Sequence, residues 1–401
     1  MTAPVTHTAG KADRAVLAEH SHGVSAIPTS RAQQLSSRNV EDFPVITGRE
    51  EEWRFTPIRR LRGLVTGGFT AAEGAAGFEH GELPSGVTVQ RVSRDAAQFG
   101  EVLTPFDRAS AQAMTSVAEV VTVSVGPGVV VTEPVHLTFA GADAQQGASF
   151  GHTVIEARES SQVTVILDHV GSATLADNVE LWVADNARLR LVSIADWDRD
   201  AVQLQHQKAR LGRDASLTHI AVTLGGDVVR QYTSVEFAGP GAEVDGYGIY
   251  FADAGQHMEH RLLVDHRVPD CRSNVAYRGA LQGQDAHTVW VGDVLIRPKA
   301  TGTETYEINR NLVLSDGARA DSVPNLEIET GEIVSAGHAS ATGRFDDEQL
   351  FYLQSRGISE AEARRLVVRG FFAELVSKIG LESVQQRLLG AIEARLASQG
   401  V

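Results

Sequence analysis

At 401 residues, with 42% hydrophobic and 22% charged side chains, the chain has a globular composition, with room for two or three ordinary domains or one elongated one. Its 51 acidic residues outweigh 36 basic ones for a net charge of −15, which argues against non-specific nucleic-acid binding and against docking on an anionic membrane. No apolar run is long enough to span a bilayer, MTAPVTHTAGKADRAVLAEH lacks a signal-peptide core, and the single cysteine, Cys271, permits no intrachain disulfide; together these predict a cytoplasmic protein.

The first zone, residues 1–110, is polar and mixed. MTAPVTHTAGK reads as a loose tail, and TSRAQQLSSRNVEDFP alternates helical and turn signals. In EEWRFTPIRRL the apolar side chains Trp53, Phe55 and Ile58 cluster, and Trp53 is expected to anchor a small helical cap.

The second zone, 111–344, changes texture. Short β-branched runs such as EVVTVSVGPGVVVTEPVHLTF, QVTVILDHV and VELWVADNARLRLVSI are broken by Gly, Asp and Asn, which predicts many short strands. A small residue at a turn followed by an alternating strand recurs at Ser161, Ala187, Ala215 and Ala242, in steps of 26, 28 and 27 residues. The phrase returns at Ala318, 76 residues after Ala242 and close to three further steps. A sandwich has no reason to hold such a period, whereas a solenoid must stack each coil on the last. The prediction is a parallel β-helix core.

The third zone, 345–401, is helical. Asp346 with Gln349 forms a capping-box-like start and Gly357 a stop; Ser359 with Glu362 opens a second helix that Gly380 closes. Leu366, Val367, Phe371, Leu375 and Ile379 follow helical spacing along one face of it, and ESVQQRLLGAIEARLASQG supplies a further amphipathic helix. The predicted architecture is thus mainly β, a β-helix between N-terminal and C-terminal helical regions.

Several residues invite chemistry. No GxxxxGK[ST] phosphate loop occurs, so the chain is not expected to be a P-loop ATPase, and GYGIYF lacks the spacing of a dinucleotide loop. His257 and His260 lie an odd number of residues apart and would point to opposite faces of one strand, as would Asp265 and His266, so hydrogen-bonding roles are expected rather than a shared metal. Cys271 could be a soft ligand, but one thiolate cannot hold a cluster, and a lone cysteine reads as a small buried group. In VSAGHASATGRF, His338 stands among small side chains between solenoid and tail. Imidazole is a common ligand for iron and zinc, so a site completed by another chain is one reading of it.

The segments EEWRFTPI, DHRVPDCRSNVAYRGAL, ETYEINRNLVLSDGARADSVPNLEIE and AGHASATGRFDDEQLFYLQSRGI resemble the SufB/SufD family of iron–sulfur cluster assembly proteins, from about Trp53 to the C-terminal helices. Chain length and the histidine segment are more similar to SufD than to SufB. The resemblance implies a right-handed parallel β-helix and a non-catalytic scaffold subunit of a SufBCD complex. That subunit would pair with a SufB-like paralogue through the β-helix ends and bind a SufC-type ATPase through its C-terminal helical region. The residues matched to that docking region are Phe351, Leu353, Arg356 and Phe371. The resemblance further implies that His338 is a cluster-assembly ligand at the SufB interface, on a nascent iron–sulfur cluster shared transiently with SufB. ATP would enter only through SufC, and sulfur-donor proteins are possible further partners. Whether a flavin joins the complex is not read from these residues. Two positions depart from the family: Ala336 stands where relatives carry a cysteine, so any thiolate at the site must come from SufB, and Glu307 replaces a common glutamine. The rival reading from composition and fold alone is a β-helical carbohydrate-active enzyme, for which no paired carboxylates are evident.

Overall fold

The computed structural model describes residues 34–72, 77–345 and 347–398, so the MTAPVTHTAGK segment and the Asp346 cap lie outside the described residues. From Leu35 onward the chain forms one contact unit. Its centre is a parallel β-solenoid of eight coils, β3 (Glu119–Val125) to β18 (Ser335–Arg344), each coil giving one strand to each of two sheets. The odd-numbered strands β3 to β17 form one sheet with β2, and the even-numbered strands β4 to β18 form the other with β1, nine strands in each. At the N-terminal end β1 (Gly77–His80) and β2 (Val87–Ser93) pair antiparallel to β4 (Val135–Gly141) and β3. At the opposite end β17 (Arg319–Ile328) and β18 are sheet edges.

The repeat has a local physical cause. Ser160, Asn186, Asp214, Gly241, Asp270 and Gly302 all turn with φ between 54° and 75°, a region that glycine and, less readily, Asn and Asp adopt. Each is followed by a small, fully enclosed residue: Ser161, Ala187, Ala215, Ala242, Cys271 and Thr303. The carbonyls of this column receive the first N–H of the next coil's strand, from Arg188 on Ser161 at 2.8 Å to Glu304 on Cys271 at 3.1 Å. Cys271 is therefore one rung of an alanine-type column, with its Sγ 3.4 Å from the Pro269 carbonyl and burial pushing its thiol up to about 11. Ala318 corrects the sequence reading: its N–H neighbour is Arg319 on Ala286, which puts it in the other corner column, before β17. The paired registers explain the false step, because coils lengthen from Arg188↔Ser216 and Ser216↔Glu243 to Arg272↔Glu304 and Glu304↔Ser335.

Most strands of the ladder are buried on both faces, as parallel strands usually are. The outer face of the odd-numbered sheet is covered by residues 35–69 and 94–117. Among the described residues this flank holds one α-helix, α1 (Arg108–Ser116), with 3-10 turns at Val40–Asp42, Glu51–Trp53, Ile58–Arg60 and Arg94–Ala96, so the expected helical cap is mostly irregular. Trp53 is 2% exposed and stacks on the Arg230 guanidinium at 4.0 Å, so it anchors the flank onto the sheet instead of centring a helical cap. Two buried glutamates pin the same flank. Glu180 accepts the N–H groups of Val102 at 2.8 Å and Leu103 at 3.1 Å, while Glu259 accepts from Thr56 at 2.6 Å and Arg261 at 2.6 Å. Burial alone would raise the Glu180 carboxyl, but His152 and the backbone donors outweigh it and hold it below the usual carboxylate range.

The outer face of the even-numbered sheet is covered by α3 (Glu360–Lys378) and α4 (Glu382–Ser398). Ser359 caps α3 by accepting the Glu362 N–H at 3.3 Å. The buried side of α3 is Ala363, Val368, Phe372, Leu375, Val376 and Ile379. The predicted stripe is thus correct at Leu375 and Ile379 but displaced at the start: Leu366 is exposed and Phe371 sits at the margin. At its far end α4 is clamped by charge, Arg387 reaching Asp196 at 3.1 Å and both Asp168 oxygens, and Arg395 lying 3.7 Å from Asp253.

Candidate functional site: the open end of the solenoid

His338 lies on β18, the last strand, whose sequence SAGHASATGR is almost entirely small. Small side chains leave the backbone of an edge strand accessible, which ordinarily invites pairing with another chain. His338 is exposed, and Gly337 before it lies close against Tyr306, where a Cβ would come within 3.3 Å of the ring.

The registers place β18 on β16 (Glu304–Val313) with Ala336 against Thr305, His338 against Glu307, Ser340 against Asn309 and Thr342 against Asn311. Those four β16 residues are all buried, so the solenoid interior turns polar one coil below the open end. Asn309 donates to the Tyr250 hydroxyl at 2.8 Å, and that hydroxyl donates to Asn311 at 2.7 Å. Asn311 donates in turn to Asn309 at 2.8 Å and to Thr342 of the edge strand at 3.4 Å. Ser322 of β17 also donates to Asn309, so both edge strands are tied to one hydrogen-bonded plug. Glu307 belongs to no such network: its Oε1 is buried without a hydrogen-bond partner, and its Oε2 sits against Gly292, where a Cβ would be 2.5 Å away. Burial, and then the nearby Asp293 charge, push this carboxyl up to about 8.

The four docking residues expected from the sequence differ in exposure and in local partners. Phe351 on α2 (Asp347–Ser355) is 72% exposed, Leu353 is half-buried, and Arg356 lies just beyond, its guanidinium 3.0 Å from the Tyr352 hydroxyl. Phe371 faces the sheet margin instead, where its carbonyl accepts from Arg278 at 2.6 Å. Tyr352, not singled out in the sequence, and Leu366, placed there on the apolar stripe of α3, are the other large exposed apolar side chains of this region.

His260 and His266 point into the solenoid, accepting or donating at Thr223 (2.9 Å) and Ser273 (2.9 Å), and burial lowers them to about 3 and about 4. His257 and Asp265 point outward, to Glu259 at 3.3 Å and to Arg267 at 2.7 Å and Arg297 at 2.9 Å, so the alternation read from their spacing holds. Among the described residues no three His, Cys, Asp or Glu side chains are grouped to hold a metal ion, and no helix is long and apolar enough to cross a membrane.

Residues 139–371, more than half of the chain, match the family described as SUF system FeS cluster assembly, SufBD core domain. This chain belongs to the SufBD family. An iron–sulfur cluster assembly SufBD family protein of Mycobacterium bovis is 55% identical over 379 residues, covering 93% of this chain and 95% of that protein. Its Mycobacterium leprae counterpart is 53% identical over 380 residues, 93% of this chain and 96% of that protein. Iron–sulfur cluster assembly protein SufD of Escherichia coli is 27% identical over 266 residues, 65% of this chain and 62% of that protein. The SufBD core match thus spans the solenoid coils from β4 onward and most of α3, including both edge strands and His338.

Proposed function

We propose that this SufBD-family chain is a SufD-type scaffold subunit that pairs through its open solenoid end with a SufB-like paralogue, and that His338 is its contribution to a nascent iron–sulfur cluster held between the two. The observation that carries this reading is the geometry of β18: an exposed, small-residue edge strand that holds an imidazole over a polar, hydrogen-bonded interior. A partner strand added to β17 or β18 would extend the ladder at the edge where His338 is exposed. The cluster is cargo here, not a resident group. A neutral imidazole suits iron, and since Ala336 offers no thiolate, the sulfur ligands would come from the partner or from the cluster's own sulfide.

In this reading the chain is not an enzyme, acts in the cytoplasm, and meets ATP only through a SufC-type ATPase docked on the C-terminal helices. The exposed Phe351, Tyr352 and Leu366 supply apolar contact area for that docking. Because α3 and α4 are packed on the even-numbered sheet and clamped by Arg387 and Arg395, a pull on them would move the solenoid as a body. Work done by the ATPase would then arrive at the open end as rigid rotation of one solenoid against the other, rather than as a swinging tail. The test is His338→Ala in the complex co-expressed with its paralogue and ATPase and purified anaerobically. The expected result is an intact complex with its cluster absorbance lost; an undiminished cluster signal refutes the ligand role, and no co-purification with wild type refutes the scaffold role.

A further inference from the structure

A second pair of histidines stands apart from the open-end site, at the starts of β13 (His257–His266) and β15 (His287–Ile296) in the odd-numbered sheet. His257 and His287 are register partners, and their Nδ1 atoms face each other at 3.1 Å with the ring planes 70° apart. Each ring's other nitrogen is held by a carboxylate: His257 Nε2 lies 3.3 Å from Glu259 Oε2, and His287 Nε2 lies 2.7 Å from Asp321 Oδ2. Both carboxylates are paired with arginine, Glu259 with Arg230 and Arg261 and Asp321 with Arg319 at 2.8 Å, so they are ionised and can only accept. Each Nε2 therefore carries its proton, and with both rings neutral the two Nδ1 atoms meet lone pair to lone pair, an arrangement that calls for either a shared proton or a metal ion between them.

We propose that His257 and His287 form a two-histidine site for a divalent first-row transition-metal ion, oriented by Glu259 and Asp321. With metal–nitrogen bonds of roughly 2.0–2.1 Å, nitrogens this far apart subtend about 98° at the ion, between the octahedral and tetrahedral angles. A carboxylate on the far nitrogen of each ligating histidine is the usual outer-sphere support of such sites. His257 is buried, but the His287 side chain is 23% exposed, so solvent reaches the ion and fills its remaining positions. The nearby Arg60 is occupied by Asp227 and the Gly255 carbonyl, and does not compete for the imidazoles.

The probe is Zn2+, with Co2+ as its spectroscopic substitute, titrated into the purified full-length chain after metal removal. Wild type is expected to take up one equivalent with a cobalt ligand-field band. His287→Ala should lose that band, and Asp321→Asn should weaken binding about 10–100-fold while leaving the melting temperature of the metal-free chain unchanged. His338→Ala should keep the band, which separates this site from the open-end reading. An absence of stoichiometric binding in wild type would mean that a shared proton alone bridges the pair and would overturn the proposal, as would undiminished binding by His287→Ala.

Discussion

Replacing Glu307 by glutamine should stabilise the protein, and should do so more at high pH. Burial, and then the Asp293 charge, push this carboxyl up to about 8 in the folded chain, against an ordinary value of 4.5. As pH rises through the lower value the unfolded chain releases its proton while the folded chain keeps it, so the folded state loses ground until the pH passes the upper value. At pH 7 the gap is 2.5 units, and at 1.36 kcal/mol per unit the penalty is at most about 3.4 kcal/mol. Unfolding entropy of about 2.1 cal/mol/K per residue gives this chain about 0.8 kcal/mol/K, so the penalty amounts to roughly 4 °C. Glutamine keeps the shape and carries no charge. Thermal melting of both proteins between pH 5 and 8 should show near-coincident midpoints at pH 5 and a gap in favour of Glu307→Gln opening to roughly 4 °C at pH 7. Parallel curves, with no opening of the gap, would refute the buried, neutral carboxyl beneath His338.

Two further outcomes test the packing. Phe372 is fully buried between α3 and the even-numbered sheet, so Phe372→Ala should cost about 3–5 kcal/mol and release the C-terminal helices to limited proteolysis; unchanged proteolytic resistance would contradict the clamped arrangement. Cys271→Ala should be nearly neutral to stability, because Ala242 occupies the adjacent rung, and the wild-type thiol should react with a chromogenic disulfide only at the rate of unfolding. Rapid labelling of the native protein would place that thiol outside the column.

The solenoid was legible because its corners are written in short range: a left-handed Asn, Asp, Ser or Gly and then a small residue, repeated at nearly constant spacing from Ser161 to Ala242. Beyond Ala242 the coils lengthen and the column continues in Cys271 and Thr303, neither of which repeats the alanine, so the period led to Ala318 in the wrong column. The α3 stripe went astray for a similar reason. Val367–Val368 and Phe371–Phe372 are adjacent apolar pairs, and periodicity alone does not choose which member faces inward. The position of His338 at the end of the ladder was legible; its polar underlayer was not, because Asn309 and Asn311 find their partners in Tyr250, Ser322 and Thr342, which lie in other coils. Nor could spacing reveal that Glu259 pins the N-terminal flank, since Thr56 lies about two hundred residues away from it.

The central claim is that the edge of the last coil is where a second solenoid adds. Amide hydrogen exchange of this chain, alone and with the SufB-like partner proposed for it, measures that directly. Protection should rise on binding in Arg319–Ile328 and Ser335–Arg344, with amides around His338 among the most slowed, while the N-terminal strands stay unchanged. Complex formation that leaves both edge strands exchanging as they do in the free chain would contradict the account.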